Sequence, residues 1–175
     1  MSADQRELYD RLVGGPRASG PRPFPLVDEQ GRLAGPFNAM LLNPELGDAL
    51  QALGAIIRYK TAFTQRQREI AILATAAYED SPYEWAVHSH VAAGLGLTPR
   101  ELEALRDGTD VFTDPQEAVV HTAAREVAAT GDLGEETYRT AIDALGRTAV
   151  YELVTLVGYY RLLAGQMRVF QVTAD

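Results

Sequence analysis

The residues best suited to chemistry lie in one short window, Ser81-Pro-Tyr-Glu-Trp-Ala-Val-His88-Ser-His90. Successive residues of an α-helix are about 100° apart, so Glu84 and His88 lie about 40° apart and their side chains can meet. The same rotation places both on an arc shared with three aliphatic residues. A buried carboxyl or imidazole must pair or line a cavity, because burying either alone is costly. We therefore expect a site for acid–base catalysis here.

A third ionisable group, Glu69, lies on the apolar side of the preceding predicted helix. We expect the helices at 65–79 and 82–94 to form an antiparallel hairpin, because only Glu79 and Asp80 separate their apolar patterns. In such a hairpin Glu69 lies at the height of His88. The sequence thus predicts a cluster of two glutamates and one histidine inside a helical hairpin.

Each member of this cluster also has a plainer interpretation. Glu84 has the spacing of a capping-box partner for Ser81, and a histidine on an apolar helix face is more often a hydrogen-bonded core residue. Glu69 lies in a first helical turn, where exposed acids are favoured by the helix dipole. Two ligands and a distant glutamate are too few to predict a metal site, and His90 lies on the opposite side of the helix from His88.

The elements that position these groups are helices, whose starts the sequence marks clearly. Four Asn, Ser, Thr or Asp residues stand directly before a proline, which is the pattern of an N-cap followed by Pro at the first helical position. Ala, Leu, Ile and Val then recur with helical period. We predict an all-α fold of seven or eight helices, at 3–13, 44–59, 65–79, 82–94, 99–107, 115–129, 135–145 and 148–167.

The chain of 175 residues is expected to form one domain, 1–175. It would comprise an N-terminal helix and a Pro/Gly-rich arm within 1–36, and a helical core at 37–170. A long irregular segment such as 14–36 is usually functional or packed on a partner. Two predicted helices are apolar on all sides, so we expect subunit packing in a homo-oligomer.

The composition excludes several classes of function. The chain has no cysteine, so it has no thiol nucleophile and no dithiol redox cycle. Its net charge is −8 and its only lysine is Lys60, so it lacks the basic surface of a nucleic-acid-binding protein. No segment has the length and hydropathy of a signal peptide or a membrane span. We predict a cytoplasmic protein without nucleic-acid or membrane partners.

Several motifs together resemble the carboxymuconolactone decarboxylase family, whose superfamily includes the AhpD-type alkyl hydroperoxidases. The resemblance spans roughly residues 22–170 and implies the AhpD-like helical fold with its core hairpin, and a trimer or hexamer. Its strongest part is Tyr83-Glu-Trp-Ala-Val-His88 with Gly96 eight residues later. The supporting segments are Gly35-Pro-Phe-Asn-Ala-Met40, Arg66-Gln-Arg-Glu-Ile-Ala-Ile-Leu73 and Leu156-Val-Gly-Tyr-Tyr-Arg-Leu-Leu163.

The resemblance assigns the family histidine to His88 and the family glutamate to Glu69. The two cysteines of the hydroperoxidase motif fall on Ser81 and Glu84, so thiol peroxidase chemistry is excluded for this chain. The Glu-Trp-x2-His pattern is similar to the decarboxylase branch, in which glutamate and histidine are the proposed proton-handling groups. Many relatives have an asparagine in the last helix where this chain has Arg168, a change expected to recharge the substrate pocket.

We therefore expect cofactor-independent decarboxylation or proton transfer on a small unsaturated carboxylic acid or lactone, with no metal. His88 would be the general acid/base, and Glu84 and Glu69 would tune it. The alternatives are an isomerase or cyclase of a biosynthetic pathway, and a non-catalytic homo-oligomer that binds a small ligand. The residues expected to bind the substrate are Tyr83, Trp85 and Tyr159 as walls, and Arg161 or Arg168 as a carboxylate clamp.

Overall fold

The computed structural model describes residues 1–15, 18 and 23–173, and most of these residues are helical. Within them the chain forms an all-α fold, as predicted, with no strand beyond an isolated bridge. The helices are α1 (Ala3–Gly14), α2 (Phe37–Met40), α3 (Pro44–Tyr59), α4 (Gln65–Tyr78), α5 (Pro82–Gly94), α6 (Pro99–Asp107), α7 (Pro115–Thr130) and α8 (Glu135–Val169).

Local capping chemistry explains why the helices begin where the sequence predicts. Asn43, Thr98 and Asp114 each accept a hydrogen bond from a backbone N–H in the first turn, and a proline follows each of them. Thr64 caps α4 through a reciprocal capping box with Gln67. The start of α5 is the exception, because the side chain of Ser81 makes no capping hydrogen bond.

The structure differs from the predicted helices at one place. The one-turn helix α2 was not predicted, since four residues are too few to show a period. The two helices predicted at 135–145 and 148–167 are confirmed, because they are the two parts of α8 on either side of Gly146. Gly146 has φ 83° and ψ 161°, a non-helical conformation that only glycine adopts readily, so the first helix ends there and the second begins directly after it.

The core is built around α4, whose residues 67–76 are all buried. Helices α5, α6, α7 and α8 all pack against α4. The apolar surface of α4 is therefore covered within one chain and does not require a second subunit. By contrast, α8 leaves Tyr151 74% exposed and Val154 45% exposed. The predicted homo-oligomer, trimer or hexamer, stays a prediction.

The predicted Pro/Gly-rich arm at 14–36 lies partly outside the described residues, which omit 16, 17 and 19–22. Its second half forms a small turn, in which the N–H of Gly31 donates to the carbonyl of Asp28 and an antiparallel bridge joins Val27 to Leu33. The arm then lies on α5, where the Phe24 ring is 5.4 Å from the ring of Tyr83. The described part of the arm thus covers the hairpin that carries the predicted site.

No helix in the described part of the chain combines the length and the hydropathy needed to cross a membrane.

Candidate active site

Glu69 and His88 meet inside the chain, on α4 and α5. The Nδ1 atom of His88 lies 2.6 Å from Oε2 of Glu69, and the two side chains are almost fully buried. They come together because the connection through Asp80, with φ 48°, reverses the chain and lays α5 against α4. The packing of this hairpin therefore supplies the Glu–His pair that the sequence predicts.

The hydrogen bond to Glu69 determines how His88 can act. When the imidazole is neutral, a proton on Nδ1 is donated to the carboxylate and the lone pair remains on Nε2. A carboxylate behind a histidine also fixes the tautomer and the orientation of the ring. Tyr160 holds the other side of the ring through an edge contact, with 5.2 Å between ring centroids. His88 is thus arranged as a base with a fixed orientation.

Glu84 is the most unusual ionisable group in the described structure. It is 3% exposed, and neither carboxyl oxygen has a hydrogen-bond partner among the described residues. Burial raises the pKa of Glu84 to about 8, an effect that the nearby Ser81 hydroxyl opposes and the charge of Glu79 reinforces. Because Ser81 makes no cap, the capping-box interpretation of Glu84 is wrong. At neutral pH this carboxyl is mostly protonated and can donate a proton.

A cavity brings Glu84 and His88 to a common space. Its volume is about 50 Å³, and it opens to solvent. It has room for a few water molecules, and a larger ligand would extend out of it. Its lining residues, five of which are phenylalanine or tyrosine, come from the arm, α2, α3, α5 and α8: Phe24, Pro36, Phe37, Arg58, Tyr83, Glu84, Val87, His88, Tyr159, Tyr160 and Leu163.

Two of the predicted substrate-binding residues, Tyr83 and Tyr159, line this cavity. Trp85 does not. It lies a further 100° around α5 from Glu84, and its ring packs under the guanidinium of Arg106 at 4.5 Å. The prediction that Trp85 forms a wall of the site is therefore wrong in position.

Neither predicted carboxylate clamp lines the cavity. Arg161 pairs with Glu79 at 2.7 Å, and Arg168 pairs with the same carboxylate at 3.1 Å. These ion pairs hold the end of α4 to α8 and leave both guanidiniums partly exposed outside the site. Arg168 consequently does not recharge the cavity, contrary to the expectation from the motif in the last helix.

The cation that does line the cavity is Arg58, which the sequence analysis missed. It follows Gly54 by four residues on α3 and therefore lies near the helix face that carries the buried Gly54 and Ile57. A cation on the buried face of an amphipathic helix is the signal that would have identified it. Phe24, Phe37 and Tyr160 were also missed, although Phe37 and Tyr160 lie in segments that support the family resemblance.

The other histidines lie away from this site. His121 is buried beside Phe112, with ring centroids 5.3 Å apart, and burial lowers its pKa. His90 is exposed on α5. Among the described residues, no group of three or more His, Asp or Glu side chains is placed to hold a metal ion.

Comparisons with known proteins agree with this geometry at the level of fold and family. The chain is similar to the debrominase Bmp8, with 15% identity, a TM-score of 0.76, and 100% of this chain and 89% of that chain covered. A variant of Bmp8 in complex with 2,3,4-tribromopyrrole gives 13% identity, a TM-score of 0.73, and coverage of 99% and 86%. An uncharacterized peroxidase-related protein from Silicibacter sp. TM1040 gives 11% identity, a TM-score of 0.73, and the same coverage.

These identities are low, so the three structures show a shared fold alone. A search of curated proteins finds no match to the chain. The family model named Carboxymuconolactone decarboxylase family matches residues 44–131, which is half of the chain and includes α4 and α5 with Glu69, Glu84 and His88. By this match, and by the AhpD-like helical fold, the chain belongs to the carboxymuconolactone decarboxylase family.

Proposed function

We propose that the protein is an enzyme that carries out cofactor-independent acid–base chemistry, decarboxylation or proton transfer, on a small unsaturated carboxylic acid or lactone. Family membership supports a catalytic role at the level of the family. The observation that carries the proposal is the pair of unlike proton carriers at one cavity. His88 is bonded to Glu69 at 2.6 Å, and the unpartnered carboxyl of Glu84 lines the same space.

In the decarboxylation, the bond between the substrate carbon and its carboxylate breaks, and CO₂ leaves. The electron pair passes into the conjugated carbonyl of the substrate, which yields an enolate. The carboxyl of Glu84, protonated at neutral pH, donates a proton to carbon, and the enzyme regains that proton from water. In its imidazolium form, with Nδ1–H held by Glu69, His88 donates its Nε2–H to the enolate oxygen and stabilises the developing charge. A positioned acid–base pair contributes roughly 10²–10⁴ in rate.

The same residues support the alternative reaction, an isomerisation or ring closure by proton transfer. Nε2 of His88 would remove a proton from carbon and the carboxyl of Glu84 would return one to a different carbon. The proton on His88 would then pass to Glu84 through water, which restores both groups. This alternative requires one base and one acid at the same cavity. The raised pKa of Glu84 favours Glu84 as the acid and leaves His88 as the base. The two reactions differ in whether CO₂ is released, so one measurement separates them.

Thiol-dependent reactions are not proposed, although structural neighbours are named as a debrominase and a peroxidase-related protein. This chain has no cysteine, and the positions that the family resemblance gives to cysteine hold Ser81 and Glu84. The non-catalytic interpretation requires that the buried polar groups satisfy one another. The unpartnered carboxyl of Glu84 argues against it.

The test uses carboxymuconolactone as the probe and follows both CO₂ release and deuterium uptake at carbon from D₂O. We expect His88→Ala to lower turnover by at least a hundredfold, because the base and its hydrogen bond are both lost. The matched control is His90→Ala on the same helix, where the imidazole is exposed and turnover should be unchanged. Deuterium uptake without CO₂ would indicate the isomerase. Unchanged turnover in His88→Ala would refute the acid–base assignment.

A further inference from the structure

The cavity contains a cation, Arg58, whose charge is not paired with a carboxylate of the described residues. Arg58 reaches the cavity from α3 and is half-buried, yet it forms no ion pair with any carboxylate of the described residues. Its guanidinium carbon lies 5.9 Å from the ring centroid of the adjacent Tyr59. In a chain with 24 acidic residues and 16 basic ones, an unpaired arginine at a cavity requires explanation.

The surrounding charges leave Arg58 available to a ligand. The neighbouring Arg68 is buried, and its Nη2 donates to the carbonyl of Phe63 at 3.0 Å. Burial lowers the pKa of Arg68, and the charge of Arg58 lowers it further, whereas Glu69 and Glu152 oppose both effects. Neither Glu69, which is bonded to His88, nor Glu152 forms an ion pair with Arg58 among the described residues. Glu84 is mostly neutral at pH 7 and supplies no counter-charge to Arg58.

The rest of the cavity is built for a flat molecule. Five of its eleven lining residues carry aromatic rings, and two of them, Tyr159 and Tyr160, stand edge to face with centroids 5.5 Å apart. Such rings pack best against a planar conjugated group, which gains both apolar burial and ring contacts. The planar fork of a guanidinium likewise matches a carboxylate by two parallel hydrogen bonds.

We propose that Arg58 is the substrate anchor, which binds a carboxylate attached to an aromatic or conjugated ring, and that this carboxylate remains on the molecule through the reaction. This inference rests on the proposed function only in taking the cavity as the substrate site. The anchored group cannot be the one expelled as CO₂. An ion pair between the guanidinium and the leaving carboxylate would be strongest before the carboxylate loses its charge. It would therefore stabilise the ground state more than the transition state and would slow the reaction. The substrate class is therefore a conjugated acid whose product is also an acid.

The test is a binding measurement that needs no turnover, with benzoate and benzamide as probes in isothermal titration calorimetry. The two molecules share ring and shape and differ in charge. We expect wild-type protein to bind benzoate about 10- to 100-fold more tightly, which is the value of charged hydrogen bonds in a partly buried site. Arg58→Gln should reduce the preference to about one, although it retains His88. The control is Arg161→Gln, outside the cavity, which should keep the full preference.

Arg58→Lys keeps the charge but not the fork, and we expect it to retain only part of the preference. It also tests the anchor if Arg58→Gln does not fold. Equal binding of benzoate and benzamide to the wild type would overturn the inference, as would full preference in either Arg58 variant. That failure is distinct from failure of the proposed function. If the proposed function failed instead, His88→Ala would keep its turnover, while the preference for benzoate would still depend on Arg58.

Discussion

Replacing Glu84 with glutamine should make the protein more stable in a pH-dependent way. Burial raises the pKa of Glu84 from its ordinary value of 4.5 to about 8. Between these values the folded chain holds a proton that the unfolded chain releases, so stability falls as pH rises through this window. Each pH unit between these two values lowers the free energy of unfolding by about 1.4 kcal/mol. The loss in the wild type therefore approaches about 4–5 kcal/mol at pH 8.

Glutamine has the shape of the protonated carboxyl and remains neutral at every pH. We expect Glu84→Gln to match the wild type near pH 4.5 and to exceed it by several kcal/mol at pH 8. The measurement is urea unfolding of both proteins from pH 4.5 to 8.5, with free energies compared at equal m-values. Other titrating groups cancel in the difference. The control is Glu103→Gln, at an exposed position on α6, which should follow the wild-type curve.

A stability difference that stays constant across this pH range would refute the argument, because Glu84 would then titrate like an ordinary surface acid. The same titration predicts the pH dependence of activity. If Glu84 supplies the proton, wild-type turnover should fall above about pH 8, where the carboxyl loses it. Glu84→Gln should lack this basic limb as well as most of the activity. If the turnover of Glu84→Gln still falls above about pH 8, another group causes that loss of activity.

Two further substitutions test how the site is supported. Gly35→Ala should cost about 2 kcal/mol or more, because Gly35 has φ 60° and an added Cβ would overlap the ring of Tyr83. Gly94→Ala meets open space and is the control; equal stability of the two variants in urea would contradict the close packing of the arm on α5. Thr98→Ala should cost about 1 kcal/mol, because it removes the capping bond of α6. Ser81→Ala removes no capping bond and should cost clearly less, and equal losses in thermal unfolding would contradict this reading of the two caps.

The fold was predictable from the sequence because helix starts are marked locally. Asn43 and Thr98 cap the first turn with their own side chains, and a proline fixes the next residue, so neither start depends on distant contacts. The break at Gly146 was predictable for a similar reason, because glycine readily takes the positive φ at which a helix ends. The one-turn helix α2 was not predictable, since four residues show no period.

The site residues that lie close together in the sequence were predictable, and those that lie far apart in the sequence were not. Glu84 and His88 share a helix, and Glu69 is one short connection away, so helical geometry places all three. The two arginines predicted as a carboxylate clamp lie outside the cavity, because their position depends on tertiary packing. Glu79 forms ion pairs with Arg161 and Arg168 outside the cavity. The cation that lines the cavity, Arg58, lies on α3, 30 residues before His88 in the sequence. Nothing in the local pattern near His88 contains that information.

On the proposed function, position 84 determines which chemistry this fold performs. The family resemblance gives this position to a cysteine in the hydroperoxidase branch, where a thiol would face the same histidine. A buried carboxyl in its place has no redox chemistry, but its environment keeps it protonated at neutral pH. Glu69, the same residue type on the neighbouring helix, is instead bonded to His88. Pairing and burial thus give two glutamates opposite roles, one supporting a base and one holding a proton, as a proton-transfer site requires.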